Sequence, residues 1–163
     1  YLSSTIMIIN RLVFLIILAF YSCDSNPIHN NSSNTYFNLN IEETGESTLF
    51  IFKDTITSLV AGDQIGVFDL NGITDNQGNI GEVLVGVGTW NNNQLDIVAV
   101  MSQNLSSFGG PILPGAVSSN NVFIKIWKNE SQMLEENISY EIDTGSATFN
   151  GLFTAFSELT IQE

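Results

Sequence analysis

V-L-V-G-V-G-T-W-N-N-N-Q-L-D-I-V-A-V-M, residues 83–101, decides how the rest of the chain is read. Alternation along its first part puts Val83, Val85 and Val87 on one side of a strand and Leu84, Gly86 and Gly88 on the other, so one face is apolar and the other small. Gly86 and Gly88 inside such a run mark either a bulge or a close backbone approach. Asn91, Asn92 and Asn93 tolerate left-handed backbone and suit a tight turn, after which residues 94–101 return as another apolar run. The expectation is a β-hairpin.

The same grammar extends in both directions. Residues 36–41 and 47–53 alternate on either side of the turn E-T-G-E and read as a first hairpin; residues 64–69, 122–128, 138–143 and 157–162 complete a count of about eight strands. No apolar stripe of helical period is long enough for a sizeable helix, and no internal repeat stands out. An antiparallel sheet with one apolar face must cover that face with another. The class expected is therefore all-β, a two-sheet antiparallel β-sandwich of jelly-roll or immunoglobulin-like arrangement. The connection over residues 102–121 contains F-G-G-P-I-L-P-G, too rich in Pro and Gly for a strand. Connections beyond about 12 residues are often functional or crossover segments. Phe108, Ile112 and Leu113 are expected to plug an open end of the sandwich; the competing reading makes this a binding loop with Phe108 as a ligand contact.

At the start of the chain, Arg11 precedes an apolar run over residues 12–21, then Ser22, Cys23 and Asp24. A charged n-region, a 7–15-residue apolar core and a small residue at the cut make an export leader, and the run is shorter than the roughly 20 residues that span a membrane. Residues 1–22 are read as that leader, with Met7 as the true start. Cys23, the only cysteine, stands where a lipoprotein-processing system acylates a sulfur, a job that needs a nucleophilic thiolate. The preceding positions hold Phe20 and Tyr21 where the lipobox usually has Leu and a small residue, so an ordinary cleaved signal is the alternative. Residues 23–34, D-S-N-P-I-H-N-N-S-S-N after the cysteine, read as a flexible tether, and residues 35–163 as the sandwich.

Removing the leader takes away the sole arginine and leaves 3 lysines against 17 acids, a net charge of 3 − 17 = −14. Such a field opposes nucleic acid and an anionic membrane surface, while it can collect divalent cations. One cysteine permits no internal disulfide, so stability must come from burying apolar surface. The 163 − 34 = 129 residues after the tether suffice for one full core.

A-G-D-Q-I-G-V-F-D (residues 61–69), L-V-G-V-G-T-W (84–90) and V-F-I-K-I-W-K (122–128) together resemble a module recurrent in exported proteins of Bacteroidetes-type bacteria. Those modules often read G-D-E-I-G-V-F-D, then a V-G-x-G strand, then a polar gap and a strand such as I-x-F-K-x-W. The resemblance implies an extracytoplasmic β-sandwich accessory module and supplies no catalytic residue. In place of its usual short link, this chain carries the longer insert of residues 70–82.

That insert brings Asp69, Asn71, Asp75, Asn79 and Glu82 into one glycine-containing loop, an oxygen-rich set that could wrap calcium. The spacing departs from the EF-hand pattern, with Ile73 at its fifth position, and a solvated turn is the plainer reading. Trp90, beside a turn, is the better of two indoles for stacking on a sugar, although strand aromatics more often fill cores; Trp127 shares parity with Phe123 and points inward. His29 lies in the tether, where no scaffold could hold it for a Ser-His-Asp device. The pairs Glu42-Glu43 and Glu135-Glu136 sit by turns and read as solvated charge.

The function expected is a non-catalytic binding or structural module, lipid-anchored at the bacterial outer membrane or cell surface, or secreted. Its working surface would be residues 70–82 and 102–121, its partner an envelope protein or glycan, and its only membrane contact the anchor. The alternatives are a calcium-dependent or glycan-binding adhesin and a small polysaccharide hydrolase using paired carboxylates.

Overall fold

Thr48, Phe50 and Phe52 alternate with more exposed neighbours on one short strand, and all three are fully buried, because every second side chain of a strand turns to the same side. The computed structural model describes residues 35–162. The expected leader with Met7 and Arg11, Cys23 and the tether with His29 lie outside the described residues.

The strands are β1 (Ser47–Phe52), β2 (Gln64–Ile73), β3 (Ile80–Thr89), β4 (Leu95–Val100), β5 (Gln103–Asn104), β6 (Ile112–Leu113), β7 (Phe123–Lys128), β8 (Met133–Glu135), β9 (Ile138–Thr144) and β10 (Phe153–Ile161). They build one sheet of order β4-β1-β10-β9, a second of order β3-β2-β7-β8, and a small ribbon of β5 and β6. Phe50, Phe52, Ile97 and Phe156 from the first sheet meet Ile65, Val67, Val85, Ile124 and Ile126 from the second in one buried cluster. The Phe156 ring lies 5.1 Å from that of Phe52 and 5.9 Å from that of Phe50. The chain is a β-sandwich, as its pattern predicts. The pairings are antiparallel except one, where β10 lies parallel to β1 with Thr154 opposite Phe50.

Residues 83–101 do form two strands, but they are not a hairpin. β3 pairs with β2 and β4 pairs with β1, so the chain changes sheets at the asparagine turn. Asn92 takes the left-handed backbone expected there (φ 64°), and Asn91 Oδ1 accepts the Asn93 N–H at 3.1 Å. Both readings of the glycines hold. The β2–β3 register slips so that Val67 faces Gly86 while Phe68 faces Leu84, which leaves Val85 as the extra residue of a bulge. A Cβ on Gly86 would stand 2.8 Å from Ile97 Cγ2, and one on Gly88 2.9 Å from Leu95 Cδ2. The missing side chains let β4 lie against β3 and close that flank of the sandwich.

The other expected hairpin also fails, because residues 36–41 form no strand. Gln64 Oε1 instead accepts the backbone N–H groups of Tyr36 (2.9 Å) and Phe37 (3.2 Å), so the polypeptide clips onto the outer face of β2. Phe37 is buried there beside Phe68, and Tyr36 stacks flat on Trp127 with ring centres 3.9 Å apart. From this clip, residues 38–46 run as a strap to the far end of the domain, where Thr44 Oγ1 donates to Met101 O (2.5 Å) and Met101 N–H to Glu46 O (3.0 Å).

The sandwich thus has two distinct ends. Gln64, Trp127 and Trp90 mark one, where the described chain enters; Ile73, Met101 and Gly115 mark the other.

Candidate functional site

A buried carboxylate is costly unless several donors meet it. Asp69, at 1% exposure, is met by three groups. Val117 N–H reaches Oδ2 at 2.8 Å, Asn71 N–H reaches Oδ1 at 2.9 Å, and the Asn120 side-chain amide lies 3.0 and 2.9 Å from the two oxygens. The same Asn120 amide donates to Asn71 O at 3.1 Å. Asp69 therefore pins the long 102–121 connection to β2 in the way a backbone ladder would.

Gly115 completes the pin. Ile73 and Gly115 exchange two backbone hydrogen bonds of 2.9 Å, Ala116 N–H donates to Val100 O and Ser102 N–H to Ala116 O. A Cβ on Gly115 would stand 2.6 Å from both Met101 C and Ser102 N, so only glycine fits between the ends of β2 and β4. The β5–β6 ribbon rises from this junction. Its tip is a single 3₁₀ turn, Ser106–Phe108, closed by Gly109 in the left-handed region and by Leu105 O, which accepts from Phe108 and Gly110.

The plug expected of this connection does not form around Phe108, which is 88% exposed at the ribbon tip. Ile112 and Leu113 are half-buried instead, Ile112 against Gly78 of the β2–β3 turn. The two connections singled out from sequence therefore do converge on one end, held there by Asp69 and Gly115.

The strap adds what sequence reasoning missed. Between it and the converged loops opens a cleft of about 280 Å³, with Leu113 and Pro114 on one wall, Asn76 from the β2–β3 turn, and Asn40, Glu42 and Glu43 from the strap. An adjoining cleft of about 430 Å³ shares Ile41, Glu43 and Thr44 with the first and is walled by Leu39, Val98 and Val100. The available signal was the continuation of apolar residues, Leu39 and Ile41, into the acids Glu42, Glu43 and Glu46. Alternation makes the same residues read as a strand and turn.

No protein-family model, curated protein or solved structure matches the chain. What the site can do is carried by its own residues.

The five oxygen donors of the calcium reading do not meet around an ion. Asp69 is saturated by N–H donors. Asp75 accepts from the Asn79 side-chain amide (2.6 Å), the Asn79 N–H and the Gln77 N–H, and these bonds, with a contribution from the Gly78 N–H, outweigh desolvation and hold its carboxyl below the usual carboxylate range. Asn79 O takes the Thr74 N–H and hydroxyl. Glu82 ion-pairs with Lys125 at 2.8 Å, and the backbone carbonyl of Asn71 accepts from the Asn120 amide. Among the described residues no three His, Cys, Asp or Glu side chains stand close enough to hold a metal. The insert is a β-hairpin extension, with β2 running to Ile73 and β3 starting at Ile80.

Trp90 is corrected as a ligand contact: at 2% exposure its ring is core. Its backbone closes the corner between the sheets, donating N–H to Asp63 O (2.8 Å) and accepting the Gly62 N–H (2.9 Å). Trp127, expected inside, lies half-buried under Tyr36 on the outer face.

The electrostatics are one-sided. Lys53 pairs with Asp143 at 2.9 Å, Lys125 with Glu82 and with Glu136 (2.6 Å), and Lys128 with the buried Asp63. Every lysine of the described residues is thus committed to a carboxylate, and Glu136 is spoken for. Glu42, Glu43 and Glu46 have no side-chain hydrogen bond or ion pair among the described residues.

Proposed function

We propose that this chain is an exported, lipid-anchored, non-catalytic binding module of the bacterial cell envelope, presenting the end formed by the β2–β3 turn, the β5–β6 ribbon and the strap to an envelope protein or glycan. The observation that carries this reading is the polarity of the domain. The first described residues dock on Gln64, whereas the clefts lie beyond Ile73, and a ten-residue strand at about 3.3 Å per residue separates the two by roughly 30 Å. An attachment made through residues upstream of Thr35 would enter the domain at its Gln64 end, which leaves the clefts at the remote end free for a partner.

A second observation supports the accessory-module reading. The segments that resemble the Bacteroidetes-type module are the neighbouring strands β3, β2 and β7 of one sheet with their flanks, so the resembling residues form one structural unit.

Intact mass of the protein purified from its own host tests the proposal. A mass beginning at Cys23 with acyl chains is expected. A leader still attached, in the soluble cell contents, would contradict export and anchor together.

A further inference from the structure

We infer that the adjoining clefts along the strap receive an extended, lysine- or arginine-bearing segment of a partner protein, whose apolar side chains seat against Val98, Leu113 and Pro114 while its cations face Glu42, Glu43 and Glu46. The inference deepens the binding reading above and rests on it.

Shape is the first argument. The two clefts, about 280 and 430 Å³, share Ile41, Glu43 and Thr44 as lining, and between them they take in the strap from Leu39 to Glu46, a length of chain and not a point. That geometry suits an extended segment rather than a compact ligand. Apolar side chains on the walls are open to a partner: Val98, on the outer side of β4, is 57% exposed although a valine, and it lines the larger cleft.

Charge chooses the occupant. The strap contributes three carboxylates without partners among the described residues, while the lysines that could neutralise them are held at Asp143, Glu82, Glu136 and Asp63. An anionic or neutral segment in these clefts would leave the carboxylates facing like charge or losing water uncompensated; a cationic one meets them. With a chain net charge of −13, long-range attraction would also speed the encounter and weaken with salt.

The test uses fluorescence anisotropy of labelled decapeptides on the whole domain with its tether: alternating Lys–Val, alternating Glu–Val, and alternating Lys–Gly. The Lys–Val peptide should bind saturably with one site, at least roughly tenfold tighter than Lys–Gly, and Glu–Val should not bind. The double variant Glu42→Gln with Glu43→Gln should weaken Lys–Val roughly tenfold, whereas Glu130→Gln with Glu141→Gln, of equal net charge, should leave it unchanged. Thermal melts show that both variants fold. Absence of saturable Lys–Val binding, or equal weakening by both double variants, overturns the inference. A partner retained from envelope extracts with undiminished strength by the Glu42/Glu43 variant would also overturn it, and would leave the binding reading itself standing.

Discussion

Asn120 directs its side-chain amide at both carboxylate oxygens of Asp69, 3.0 and 2.9 Å away, although 51 residues separate them in sequence. The contact converts an acid that looked like a metal ligand into the fastener of a long connection. Replacing Asp69 with Ala leaves the Asn71 and Val117 N–H groups without their acceptor and the Asn120 amide with Asn71 O alone, and should cost about 2–4 kcal/mol. Thermal unfolding should fall by roughly 10 °C. Hydrogen exchange of Val117 and its neighbours should rise more than that of β1.

Gly115 offers a sharper steric contrast. Gly115→Ala drives a Cβ to 2.6 Å from backbone atoms of Met101 and Ser102, which no side-chain rotation can relieve, and should destabilise by at least about 2 kcal/mol. At Gly109 nothing stands within 4 Å, so alanine there meets only the left-handed backbone (φ 76°) and should cost about 1 kcal/mol. Chemical denaturation of the two variants measures the difference.

Much of the fold was legible. β1, β4, β7 and β9 fall within a residue or two of their predicted limits, because each is a run of period two with Asn or Gly beside at least one of its ends. β2 and β3 ran further than expected because their extension, Leu70 to Ile73 and Ile80 to Glu82, alternates only weakly through polar residues. Pairing was not legible. Alternation identifies a strand but carries no information on which sheet it joins, and Gly86 and Gly88 admitted a neighbouring strand of the opposite sheet as readily as a hairpin partner. Tyr36 and Phe37 alternate like strand residues, yet their backbone is claimed by a side chain, Gln64, far along the sequence. At the site, the convergence of the two loops was foreseen. The saturation of Asp69 and the burial of Trp90 depend on distant donors and on a corner between sheets, which no local pattern encodes.

Stability should respond to pH on both flanks of neutrality. Burial of Lys125 disfavours its charge, but the hydrogen bonds and charges of Glu136 and Glu82 outweigh that and raise its pKa above 10.5. Desolvation raises the pKa of Tyr140 above 10.0. For both groups the folded state holds the proton more tightly, so their contributions are complete below about pH 10 and are lost as pH rises through the folded values. Asp75 has the opposite sign: with its pKa held below 3.8, chiefly by the Asn79 amide, its contribution is present above that value and lost as pH falls beneath it. Melting temperature against pH should show a shallower alkaline slope in Lys125→Met, with the Tyr140 part remaining, and a shallower acid slope in Asp75→Asn.

The two indoles should part in quenching. In Trp127→Phe, only Trp90 remains, and its buried ring should emit at short wavelength and resist iodide. Soluble glycans should leave that emission unchanged. Trp90→Ala should cost about 3–5 kcal/mol, whereas Tyr36→Ala should cost about 1 kcal/mol and make Trp127 the more accessible fluorophore.

Photocrosslinking in the protein's own host puts the central claim, that binding occurs at the loop end remote from the entry of the chain, to its most direct test. A photoreactive phenylalanine analogue at Asn40 samples the cleft beside Leu113, and the same analogue at Gln132 samples the surface beside Trp127 at the opposite end. Adducts with an envelope component at position 40 and none at position 132 are the predicted result. Adducts at position 132 with none at position 40 would contradict it.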